Sequence, residues 1–162
     1  MIDEESIDSL ILTTPKSIAY VKSLVPDRNL QLLFRTSRDG WNNVTFHSKC
    51  DDMGATITLF KTEEGRICGG YASVSWESME SSSSYKEDKE CFIFSVDCER
   101  VFKIKLSKYA LGCWNGWGPQ FGSCSLFGYL FTKGQCRSNE DSDVFENLKD
   151  SDGNSMLSGC SK

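Results

Sequence analysis

Histidine occurs once in these 162 residues and proline three times; the closest two of the eight cysteines are seven positions apart. Each scarcity excludes something. With His47 alone, a Ser-His-Asp or Cys-His relay has to pass through that one side chain. No CxxC occurs, so neither a zinc knuckle nor a thioredoxin-like redox pair is written into the chain. No apolar run approaches the ~20 residues of a membrane helix. The opening MIDEESIDSL is acidic where a secretory signal is basic and then apolar, which points to an intracellular, cytoplasmic protein. There the cysteines at 50, 68, 91, 98, 113, 124, 136 and 160 are expected as buried or half-buried free thiols, and the sequon Asn43-Val44-Thr45 is idle. Lysines and arginines number 18 against 23 acids, a net charge of -5, and they look scattered in the sequence. Nucleic acid and anionic membrane surfaces both call for a basic stripe, so neither is an expected partner.

What is present suits one globular domain: 39% apolar and 12% aromatic residues in a chain long enough to bury a real core. TTPKSIAYVKSLVP reads as a helix, with Thr14 as N-cap, Pro15 at its first position, and Ile18, Val21 and Val25 on one face. LQLLFR (30–35) reads as a strand and SRDGWNN as a turn through Asp39-Gly40. A short helix follows, capped by Asn43, turning Phe46 and Cys50 inward and ending at Gly54. ATITLFK (55–61) and RICGGYASVSW (66–76) form a hairpin across TEEG, and Gly69-Gly70 imply a bulge or a close backbone approach. SMESSSSYKEDKE (78–90) reads as a mobile loop. CFIFSV and VFKIKL form a second hairpin, with Phe102, Ile104 and Leu106 on one side and Lys103 and Lys105 on the other. GCWNGWGPQFG (112–122) is too punctuated for regular structure, and SLFGYLFT (125–132) reads as the last strand. Short strands without βαβ alternation predict a mainly β, two-layer antiparallel sandwich with flanking short helices. Residues 1–29 are a helical lead-in and 30–162 the domain proper, with 133–162 as acidic loop and tail.

The chemical readings of FHSKCDDMG are weak. His47 stands in neither a GxSxG nor a papain-like context, and a hydrogen-bonded structural role fits it better than general-base work. His47 and Cys50 make a zinc half-site with no second pair at matching spacing. Asp51-Asp52 and DSDGNS (150–155) lack the calcium-loop pattern, whose sixth position must be glycine where Ser155 stands. Asp51 is expected to close a turn onto backbone amides. Gly116 to Gly122 is no GxGxxG and precedes a strand, so its tryptophans plug the sandwich or meet a partner. No catalytic, cofactor-binding or metal-binding residue is expected.

The run LLFRTSRDGW…FHSKCDDMGATITLFKTEEGRICGGYASVSW, then YKEDKECFIFSV and GWGPQFG, closely resembles the TLDc domain of the oxidation-resistance proteins, over Leu30 to about Leu130. ILTTPKSIAYVKSLVPDR resembles the helical lead-in before such domains. Ser37, Arg38, Asp39, Gly40, Phe46, His47, Cys50, Asp51, Gly54, Gly69, Gly70, Trp76 and Gly118 through Gly122 match the family signature, read as chiefly architectural. The resemblance implies a β-sandwich, a non-enzymatic role in oxidative-stress resistance, and binding to the vacuolar proton pump at the cytosolic face of acidic organelles. The family's closing strand is expected after LSGCSK, where the sequence stops: the strand is lost, or a partner supplies it, or an edge is left open to strand addition. Two alternatives compete. One is an accessory subunit of a microtubule or ciliary scaffold. The other is an antioxidant enzyme or thiol sink using the eight cysteines, of which Cys50, after Lys49, and Cys136, before Arg137, have a basic neighbour.

Overall fold

The computed structural model describes residues 7–122, the backbone of 126–129 and 135–138, and residues 143–146, 148, 149 and 151. Helix α1 (Pro15–Leu24) begins as its punctuation predicts. Thr14 Oγ1 accepts the Ser17 amide at 3.1 Å, and Ser17 Oγ accepts the Thr14 amide at 3.3 Å, so two orphan donors are satisfied reciprocally. Pro26 follows the cap at Val25, where continuation is sterically blocked. Val21 is fully buried, and Ile18 packs beside it.

Residues 30–35 do not form the predicted strand: they run without ladder partners into helix α2 (Thr36–Asp39). A local side-chain bond competes successfully here, because the Asp39 carboxylate accepts the Arg35 amide at 2.9 Å and fixes the chain as a helical turn. Leu33 and Phe34 still reach the core from this extended segment. Gly40 leaves the turn at φ +84°, as its sequence context predicts. Helix α3 (Asn43–Cys50) follows, one residue out of step with the expected cap. Asn42 is the N-cap, accepting the amides of Val44 and Thr45, which frees Asn43 to turn inward. The helix ends at Cys50, ahead of Gly54, which occupies a later turn at φ +77°.

Two antiparallel sheets make up the sandwich. Strands β1 (Thr56–Lys61), β2 (Ile67–Ala72), β4 (Phe92–Ser95) and β5 (Arg100–Lys103) form one, in the order β1-β2-β4-β5. Strands β3 (Tyr85–Lys86), β6 (Leu111–Gly112), β7 (Gln120–Phe121), β8 (Leu126–Tyr129) and β9 (Gln135–Ser138) form the other in the order β3-β6-β7-β8-β9. The two sequence-read hairpins are β1–β2 and β4–β5, with unbroken registers from Thr56↔Ala72 to Lys61↔Ile67 and from Phe92↔Lys103 to Ser95↔Arg100. A main core of Phe46, Trp76, Ile93, Phe102, Leu111 and Phe121 lies among the two sheets and α3. A smaller one, with Val21, Phe94 and Val96, lies under α1.

Three further expectations need correction. The serine-rich segment 78–90 is pinned: the Met79 amide donates to Cys113 O at 2.8 Å, β3 pairs with β6, and Asp88 is only 2% exposed. That carboxylate accepts the Ser73 amide, the Ser73 hydroxyl and the Glu90 amide. The stretch 133–162 is not wholly solvated, since Gln135–Ser138 form β9 and Val144, Phe145 and Leu148 are buried in the main core. Leu106 leaves the inward side of its strand and stands 42% exposed. The expected loss of a closing strand falls on residues outside those described.

The unbroken β2 register excludes a bulge at Gly69-Gly70 and leaves close approach as their role. A Cβ on Gly70 would sit 2.5 Å from the Phe121 ring of the facing sheet, and one on Gly69 would strike the Phe94 ring at 2.6 Å and overlap the Thr58 carbonyl. Gly69→Ala is therefore expected to cost about 3 kcal/mol of stability, the range for overpacking a filled interior. Urea denaturation measures it; a midpoint equal to wild type would show that the strands have room to spare.

Candidate functional site

α3 presents Phe46, His47 and Cys50 to the interior, and all three are buried. Phe46 lies edge-on to Phe34 at 5.7 Å and to Trp76 at 5.8 Å between ring centroids. Trp76, 1% exposed, meets Phe121 edge-on at 5.4 Å and donates from Nε1 to Thr56 Oγ1 at 2.9 Å. This aromatic chain holds α3 against both sheets and fixes where His47 points.

His47 is 6% exposed and occupied on both sides. Nδ1 lies 2.8 Å from Asp51 Oδ1, one helical turn on. Nε2–H donates to Trp117 O at 2.9 Å, with Trp114 O at 3.3 Å. The other Asp51 oxygen accepts the Ser78 hydroxyl at 2.6 Å. Asp51 thus closes onto two side chains, where a turn onto backbone amides was expected; Asp39 and Asp88 are among the carboxylates that accept backbone amides. The backbone continues the connection, for Asp51 bridges Trp76, the Asp52 amide donates to Trp76 O at 3.1 Å, and the Gly54 amide donates to Ser75 Oγ at 2.8 Å. Three separate segments, 47–54, 75–78 and 114–117, are tied at one imidazole–carboxylate pair. No face of the imidazole is left for a substrate proton.

Asn43 completes the brace from the start of α3. Its Nδ2 donates to Asn115 O at 2.6 Å, and the residue is 7% exposed, so the sequon is occluded by its own fold. The turn it grips is closed by the Trp117 amide donating to Trp114 O and by Trp114 edge-on to Trp117 at 5.3 Å. Gly116 is small of necessity, as a Cβ there would meet the Trp114 ring at 2.7 Å. The remaining signature residues have local tasks. Ser37 and Arg38 lie in α2, where the Arg38 guanidinium, helped by the Arg35 amide, holds the Asp39 carboxyl well below the usual carboxylate range. Gly118 is buried, and the Gly122 amide donates to Ala110 O at 2.7 Å with φ +65°. Ser78 and Asp88 were not singled out in the sequence, and Gln120, 2% exposed and donating to Gly122 O, fell inside the signature without a role of its own. Asp88 sits unmarked inside the charge run KEDKE; Asn43 was legible only as a cap or a sequon.

Among the described residues, no group of three or more His, Cys, Asp or Glu side chains converges as metal ligands would. The cysteines divide. Cys98 is disulfide-bonded, which corrects the expectation of free thiols throughout: pairing between distant segments leaves no mark in sequence spacing. Cys50, Cys68, Cys91 and Cys113 are free and buried. Burial, reinforced by Asp51 and Asp39, pushes the Cys50 thiol up to about 12 despite neighbouring Lys49. Burial likewise pushes Cys113 up to about 11 and raises Cys91. The electropositive setting a reactive thiol needs is missing at Cys50; Cys136 lies on β9, described by its backbone alone.

The TLDc domain family model matches residues 2–161. The chain belongs to the TLDc domain family. It is similar to the MTOR-associated protein MEAK7 of Danio rerio, 30% identical over 82 residues that cover 49% of this chain and 18% of that protein. The Mus musculus protein of that name is 30% identical over 83 residues, with the same shares. TBC1 domain family member 24 of Xenopus laevis is 28% identical over 105 residues, 60% of this chain and 18% of that protein. The TLDc chain thus matches less than a fifth of the length of these relatives. Among its described residues, no helix is long and apolar enough to cross a membrane.

Two outcomes follow from this geometry. Asn43→Asp replaces the donor to Asn115 O with an acceptor and is expected to cost about 2 kcal/mol by urea denaturation, the scale of a broken buried hydrogen bond; an unchanged midpoint would remove Asn43 from the brace. Alkylation of native protein with iodoacetamide at pH 8 should modify Cys50 and Cys113 about a hundredfold or more slowly than the unfolded chain, because both stay thiols until pH climbs toward their raised values. Equal rates would restore a reactive-thiol reading.

Proposed function

We propose that this TLDc chain is a non-catalytic protein–protein interaction domain that engages the vacuolar proton pump and serves oxidative-stress resistance. The observation that carries the non-catalytic half is the brace. The only histidine is closed on both ring nitrogens by an acid and backbone carbonyls, and the raised thiols at Cys50 and Cys113 disfavour thiol chemistry there. Most signature residues support the same reading: Phe46, Cys50, Gly69, Gly70 and Trp76 pack, Gly40, Gly54 and Gly122 take positive φ, and His47, Asp51 and Asp39 pin loops. Family membership supports the interaction half: the pump-binding role comes with the TLDc resemblance. The printed name of the MEAK7 relatives, MTOR-associated protein, speaks for an association role in those proteins and extends here as part of the proposal. The working location is cytoplasmic, at the cytosolic face of acidic organelles. The scaffold-subunit alternative rests on a terminal strand whose residues lie outside those described, and no described contact favours it.

Purified chain immobilised on beads is expected to enrich the pump's peripheral sector from a detergent-free extract above an unrelated β-sandwich of similar charge. Enrichment no greater than that control would end the pump assignment.

A further inference from the structure

Residues 100–139 hold six of the 18 lysines and arginines and none of the 23 acids. Bases that look scattered in the sequence are drawn together where this stretch begins. Along β5 and its continuation, Phe102 and Ile104 turn to the main core, so Val101, Lys103 and Lys105 share the opposite side by strand alternation. Leu106 follows, and a 3₁₀ turn (Ser107–Tyr109) adds Lys108 and Tyr109, with Lys108 Nζ 4.8 Å from the centre of the Tyr109 ring. All three lysines are exposed. The three apolar residues among them are exposed too, at 38% for Val101, 42% for Leu106 and 37% for Tyr109.

Elsewhere Lys16, Arg35, Arg38, Lys49 and Lys86 each find a carboxylate within ion-pair distance. Among the described residues, none lies that close to Lys103, Lys105 or Lys108. Like Arg28, Lys61 and Lys89 they lack a described ion pair, but only here among the described residues do such bases form a run interleaved with exposed apolar side chains. Glu146 lies across the ladder from Lys103 and Glu87 accepts the Ser107 hydroxyl, so two acids border the run without closing on its ammonium groups. The backbone edge of the strand is already taken: the Lys105 amide donates to Val144 O at 2.7 Å, the Glu146 amide donates to Lys103 O at 2.9 Å, and Ile104 bridges Phe145. Strand addition is blocked there, and only the side-chain face remains for a partner.

We propose that this face docks an acidic segment of a partner protein, its carboxylates meeting Lys103, Lys105 and Lys108 and its apolar side chains resting on Val101, Leu106 and Tyr109. Charge complementarity favours a carboxylate-rich partner. A polypeptide is favoured over an anionic membrane because the basic run is one strand wide, and the chain's net charge of -5, these lysines included, repels anionic lipid. The inference rests on the protein-interaction reading above and assigns it a surface.

The test uses the full chain and a fluorescein-labelled peptide with leucines set among glutamates, followed by anisotropy at low salt. Wild type is expected to bind, and Lys103→Gln, Lys105→Gln, Lys108→Gln together to weaken binding about tenfold, the sum of three exposed ion pairs. A control triple, Arg28→Gln, Lys49→Gln, Lys61→Gln, alters net charge equally at exposed sites off the face and should leave the affinity near wild type. Equal weakening by the two triples, or no binding by wild type, overturns the proposal. So does binding to phosphatidylserine vesicles that is lost in the first triple while peptide binding is not. Pump capture can fail with this titration succeeding, and the reverse, so partner identity and docking face fail separately.

Discussion

The irregular segments at one end of this sandwich, 51–54, 75–78 and 113–118, carry many peptide groups with no ladder partner, and a buried peptide group left unpaired is costly. The His47–Asp51 pair is where these segments are held together. The imidazole reaches the carbonyls of Trp114 and Trp117 on one side, and its carboxylate partner reaches Ser78 on the other. A rigid aromatic side chain does this well, since its two nitrogens point in opposed directions at fixed separation. Asn43, Met79 and Glu80 add further hydrogen bonds to the Trp114–Trp117 turn from outside it.

Close packing between layers sets the second constraint. Gly70 lies against Phe121 of the facing sheet, and within the second sheet Gly112 lies against the amide of its cross-strand partner Gln120, so at both places a side chain fills the space where a Cβ would stand. The aromatic chain Phe34–Phe46–Trp76–Phe121 then runs from the segment before α2 into the second sheet. Helix, hairpin and loop thus share one packed interior, which makes the brace a matter of fold integrity and leaves binding to the periphery.

How far the sequence revealed this depended on the range of the interactions. Thr14, Pro15 and Pro26 punctuate α1 through contacts a few residues long, and both four-to-six-residue hairpins announce themselves by alternation. LQLLFR looks like a strand by composition, yet the carboxylate of Asp39 recruits the Arg35 amide and turns the chain before a ladder forms. Strands β3, β6 and β7 are two residues each, too short to show any period. Val144, Phe145 and Leu148 hide their apolar face among acids. A hydrogen-bonded setting for His47 was legible, but its partners Trp114 and Trp117 lie about seventy residues away, beyond the reach of local pattern. Lys103 and Lys105 were legible on one side of their strand, while Lys108 follows in a 3₁₀ turn that alternation does not foresee.

The account depends on His47 and Asp51 acting as one unit. A double-mutant cycle of His47→Gln and Asp51→Asn, read by urea denaturation, measures that directly. A coupling energy of about 1–2 kcal/mol is predicted for two contacting members of one hydrogen-bonded network. Additive effects, with coupling indistinguishable from zero, would contradict it.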